Sequence, residues 1–135
     1  MAEATPRWGG YRVVVPVVGI TERVFQSWSA RIRPADAEYM HRTRAWSLRE
    51  IMILATMKEL KAIGKTIDAA HRVAVDALDG WDGRSPLAPL RVPVTGVSVY
   101  TIDLEALRSV LEARLVGYPP AAAPRGWRRR KPAKR

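Results

Sequence analysis

The chain has 135 residues, 47% of them apolar, which suffices for one compact domain with a real core and excludes disorder throughout. Net charge is +10, yet the last eleven residues, RGWRRRKPAKR, hold seven basic side chains and no acid, so residues 1–124 carry only about +3. The absence of cysteine excludes disulfides and thiolate metal sites, and no apolar run is long enough for a bilayer span or a secretory signal core.

Residues 1–10 read as a flexible arm. The run YRVVVPVV at 11–18 fits a strand or a short helix; its β-branched content favours the strand, and Pro16 restricts either. After Gly19, Thr21 can cap a helix in which Val24, Phe25 and Trp28 share one face, leaving Arg23, Gln26 and Ser27 pointing away. Pro34 ends that helix, and ADAEYMHRTR at 35–44 reads as a polar loop or small hairpin.

Ser47-Leu-Arg-Glu50 is a capping box, in which hydroxyl and carboxylate satisfy reciprocal backbone donors. It predicts a helix with a stripe of Ile51, Leu54, Met57 or Lys58, Leu60 and Ile63, closed by Gly64. Thr66 caps the next helix, which carries Ile67, Ala70, Val73, Ala74 and Ala77 and ends near Gly80; the short turn predicts that the two pack together. Residues 81–91 are rich in Gly and Pro and read as a linker. Residues 92–116 form a strand–helix extension: a strand-like pattern over VPVTGVSVYTI at 92–102, then a helix capped by Asp103 with Leu104, Leu107, Leu111 and Leu115 on one face. That face either covers the core or pairs with a second copy, and with its strand at 97–102 it could swap or add across a two-fold axis; the expectation is a homodimerisation element. Residues 117–135 are expected to be a disordered basic tail.

The order of these landmarks resembles regulators of the MerR type. Gly19-Ile20-Thr21 is similar to the family's Gly-Val-Ser turn, with Arg23 and Trp28 where the recognition helix has an Arg and its terminal aromatic. Pro34 matches the proline after that helix. Arg44-Ala45-Trp46-Ser47 resembles the Arg-x-Tyr-Ser junction between wing and next helix, and Leu60-Lys-Ala-Ile63-Gly64-Lys-Thr66-Ile67 resembles the Leu-x-x-Leu-Gly-x-Ser-Leu turn. The resemblance covers residues 11–80, about half the chain. It implies a mainly α fold with a small β wing: a winged helix-turn-helix followed by the strand–helix extension. Departures are visible too. The first helix is short and holds Pro16, and Val24-Phe25-Gln26-Ser27 replaces a Thr-Leu-Arg-Tyr core. The wing glycine is replaced near Arg42, and the long dimerising helix and the sensor cysteines are missing. The chain thus looks like a divergent, phage-related or accessory member that senses neither metal nor redox state.

The implied function is sequence-specific binding of double-stranded DNA in transcription regulation, in a cytoplasmic, nucleoid-associated setting. Residues 20–30 would enter the major groove, with Thr21, Glu22, Arg23, Gln26, Ser27 and Arg31 toward the DNA. A wing at 39–45 would bring His41, Arg42 and Arg44 to the backbone. Arg128, Arg129, Arg130 and Lys131 of the tail would add phosphate affinity without reading sequence; a solvated tail is the plain alternative. RNA polymerase or another regulatory protein is a further partner of such regulators. Two other functions fit the same pattern: a phage-type accessory protein for excision or packaging, and an adaptor that has lost DNA binding. No phosphate loop, nucleophile elbow or metal-binding helix motif is present, and His41 and His71 lie apart without Cys partners. Neither an enzyme nor a cofactor is expected.

Overall fold

The computed structural model describes residues 6–32 and 45–120. In chain order these form β1 (Arg7–Gly9), α1 (Gly10–Val18), α2 (Glu22–Arg31), β2 (Ala45–Ser47) and α3 (Leu48–Ala62). Then follow α4 (Ile67–Ala77), β3 (Leu90–Pro93), β4 (Val99–Ile102) and α5 (Leu104–Leu115). Helices make up about 55% of the described residues, so a mainly α chain with small β elements is what the sequence folds into. Among the described residues the β component is two antiparallel pairs, β1 with β2 and β3 with β4.

The valine run at 11–18 is helical, against its β propensity. Val14, Val17 and Val18 fall at i, i+3 and i+4 and are all buried, so packing at helical period overrides the local preference. Pro16 is tolerated because it and Arg12, whose carbonyl loses its helical donor, both lie on the exposed side. Residues 7–9 are no flexible arm. They pair with β2 in the register Arg7↔Ser47, Trp8↔Trp46 and Gly9↔Ala45. Arg7 Nη1 donates to the Ala45 carbonyl at 3.0 Å and to Glu50 Oε1 at 3.1 Å, fastening β1 to the start of α3.

The expected capping box forms: Ser47 Oγ accepts from the Glu50 amide at 3.2 Å, and Glu50 Oε1 accepts from the Ser47 amide at 2.9 Å. The helix behind it is not the striped one expected. Every residue from Ile51 to Met57 is buried, because α1, α4, α5 and β2 pack around α3. Thr56 Oγ1 lies inside this core with no hydrogen-bond partner among the described residues. Thr66 caps α4 by accepting from the Ala69 amide, and at its far end Arg49 Nε donates to the Leu78 carbonyl at 2.8 Å. Phe25 joins the aromatic part of the core, with ring centroids 6.2 Å from Tyr11 and 5.8 Å from Trp46.

Two expectations fail in the C-terminal half. The strand-like stretch 92–102 is a hairpin that turns at residues 94–98, where Thr95-Gly96 interrupts the valines, and β3 begins inside the expected linker at Leu90. The rest of that linker is a fixed loop. Asp82 accepts from the amides of Arg84 and Ser85 and from the Ser85 hydroxyl, each at 2.8 Å, and these bonds lower its pKa to about 2. Glu105 accepts from Arg108 and from the Leu87 amide, tying the loop to α5 and holding its carboxyl below the usual range.

The leucine face, expected to be a dimerisation element, is taken up inside the chain. Leu104, Leu111 and Leu115 are buried within the chain and Leu107 is partly buried against the same core, on α1 and α3. The extension therefore shares one core with residues 11–80. Beyond α5, Tyr118 belongs to the fold as well, its carbonyl accepting from Trp8 Nε1 at 2.9 Å, although it lies within the stretch expected to be tail.

Candidate nucleic-acid interface

The geometry of α2 follows from its sequence at both ends. Gly19 adopts a left-handed conformation (φ 88°), and its amide and that of Ile20 both donate to the Val15 carbonyl, closing α1 and turning the chain sharply. Two residues later the Thr21 hydroxyl accepts from the Val24 amide at 3.1 Å and starts α2. Phe25 and Trp28 are buried and Val24 half-buried, so one edge of α2 is sunk in the core.

At 100° per residue, the opposite half of the helix carries Glu22, Gln26, Ala30, Arg23, Ser27 and Arg31 as one continuous arc, and all six are exposed. Gln26 Nε2 donates to Glu22 Oε2 at 3.3 Å across one turn. Arg31 Nη2 lies 4.0 Å from Asp68 Oδ2 of α4, with both side chains more than half exposed, so solvent screens this pair and leaves the guanidinium able to exchange partners. Thr21 is exposed but its oxygen is committed to the cap; its hydroxyl proton remains able to donate. Of the expected recognition residues, Glu22, Arg23, Gln26, Ser27 and Arg31 are thus gathered on one surface, while Thr21 caps the start of the helix. His41, Arg42 and Arg44 of the expected wing and Arg128, Arg129, Arg130 and Lys131 of the tail lie outside the described residues. Of the 39–45 segment only Ala45 is described; it opens β2, whose partner strand is β1.

Sequence reasoning missed what holds the turn behind α2. Arg114 Nη1 of α5 donates to the Val17 carbonyl at 2.8 Å, and Lys58 Nζ of α3 donates to the Val18 carbonyl at 3.4 Å. Two cations therefore sit at the carbonyl end of α1, where the helix dipole favours positive charge. No local signal announces them, since they come from 40 and 97 residues away.

An exposed arc of this kind can meet a groove. Arginine pairs bidentately with guanine or with a phosphate, glutamine with adenine, and a carboxylate accepts from the cytosine amino group. Among the described residues no group of three or more His, Cys, Asp or Glu is placed to hold a metal ion, and no helix is long and apolar enough to cross a membrane. Compared with family models, with curated proteins and with solved structures, the chain matches none.

Proposed function

We propose that the protein is a sequence-specific regulator that binds double-stranded DNA through a winged helix-turn-helix, reading bases with α2. The observation that carries this reading is the exposed arc of Glu22, Arg23, Gln26, Ser27 and Arg31 on a helix whose other edge is anchored by Phe25 and Trp28. It follows α1 after a turn of only three residues, the arrangement in which the second helix of a pair enters the major groove. Residues 39–45 would form the wing, with His41, Arg42 and Arg44 at the sugar–phosphate backbone. Residues 1–124 carry only about +3, so most of the affinity for any DNA would come from the basic residues 125–135, by counterion release.

Sites selected from a random duplex pool by the full chain provide the test. On a selected duplex, Arg23→Ala and Gln26→Ala each weaken binding by roughly 1–3 kcal/mol, while binding to a scrambled duplex changes little. Removing residues 125–135 instead weakens both duplexes alike and flattens the salt dependence. If no motif is enriched, or if Gln26→Ala weakens both duplexes equally, base reading by α2 is wrong.

A further inference from the structure

Among the described residues, the β3–β4 hairpin leaves the edge of β4 unpaired. Its register pairs Leu90 with Ile102, Val92 with Tyr100 and Pro93 with Val99, and beyond the strands the Val94 amide donates to the Ser98 carbonyl at 2.9 Å. Antiparallel pairs alternate between bonded and non-bonded, so 92/100 and 90/102 are bonded pairs while 93/99 and 91/101 are not. The N–H and C=O groups of Val99 and Thr101 therefore face away from β3. No hydrogen bond among the described residues reaches them. The outer edge of β3 is different, because Pro93 there has no N–H to offer. Side chains alternate in step: Val92 and Ile102 are buried, whereas Val99 and Thr101 are exposed on the solvent face.

The open edge is also uncharged and apolar. Residues 92–102 contain no charged side chain in a chain of net charge +10, and Val94, Val97, Val99 and Tyr100 are all exposed, Val97 almost fully. An edge without charge offers nothing to a charged partner. For two copies of a net basic chain it is a surface where they can meet without setting like charges against each other. We infer that β4 is a self-association edge, pairing antiparallel with β4 of a second copy about a two-fold axis at Tyr100. Val99 N–H then donates to the carbonyl of the partner's Thr101, Thr101 N–H to that of the partner's Val99, and the symmetric pair repeats both bonds. The product is a four-stranded sheet. This contact takes the place of the leucine face, which the core consumes, and it is independent of the DNA-binding reading. A short edge pair buries little area, so the dimer is weak, with a dissociation constant on the order of tens of micromolar.

Sedimentation equilibrium of the full chain, over roughly two decades of concentration around that value, is the test. The parent protein passes from monomer to dimer. The double variant Val99→Lys/Thr101→Lys sets an ammonium opposite an ammonium across the axis and weakens association by about tenfold or more. Val99→Lys/Thr101→Glu sets opposite charges at the same positions and restores it. Thr101 lies opposite Arg91 within the hairpin, so its substitutions also change the monomer; thermal melts well below the dissociation constant check that all three proteins remain folded. A parent chain that stays monomeric throughout overturns the inference. So does a dimer indifferent to the lysine pair, or one weakened equally by the two double variants.

Discussion

Gly19→Ala probes the turn on which the exposure of α2 depends. Gly19 sits at φ 88°, and a methyl group there would lie 2.9 Å from Lys58 Nζ. Two costs separate cleanly. Holding a non-glycine residue in the left-handed region costs roughly 1–2 kcal/mol. Pushing the ammonium away also breaks its bond to the Val18 carbonyl, which at 3.4 Å and on an exposed lysine is worth no more than about 1 kcal/mol. The total is about 2–3 kcal/mol, read as a lower urea midpoint at unchanged slope, or as a melting temperature lower by roughly 10–15 °C. Gly64→Ala supplies the control, since Gly64 has φ 97° but nothing within 4 Å of the added carbon. It should show the backbone cost alone. In a Lys58→Met background the difference between the two glycine variants should vanish. If Gly19→Ala and Gly64→Ala cost the same in the parent chain, or if their difference survives Lys58→Met, the contact at the turn does not act as reasoned.

Leu111→Ala should cost about 2–5 kcal/mol in chemical denaturation of the monomer while leaving self-association unchanged; a loss of association without loss of stability would return the leucines to an interface. Acid titration offers a separate check. Asp82 titrates near 3.8 in the unfolded chain and at about 2 in the folded one, so its contribution is complete above about pH 4 and is lost as pH falls through about 2. Glu105, lowered chiefly by Arg108 and also by the Leu87 amide, acts in the same direction. The Asp82 carboxyl resonance should therefore show a midpoint near 2, and a midpoint at the ordinary value would mean that the loop is not held by it.

Signals that act within one helical turn could be read directly. Ser47 with Glu50, and Thr21, Thr66 and Asp103, each bond a backbone amide three residues on, so their sequences alone locate the starts of α3, α2, α4 and α5. The exposed arc of α2 was legible for the same reason, because helical period divides Phe25 and Trp28 from Arg23, Gln26 and Ser27 without reference to anything distant. The fate of the valine run was not. Its residues satisfy both a strand and a helix, and burial of Val14, Val17 and Val18 chose between them.

Helix caps and the apolar faces of α2, α4 and α5 were determined by the sequence itself, since these depend on residues three or four apart. What each face meets was left to the tertiary structure. Amphipathicity says that Leu104, Leu111 and Leu115 must be covered, and only the fold shows that α1 and α3 cover them rather than a second copy. Pairing of β1 with β2 joins Arg7 to Ser47, and Arg114 crosses 97 residues to reach Val17. Contacts at such separation leave no periodic trace in the chain, because they are fixed by the way the helices pack and not by the order of neighbouring residues.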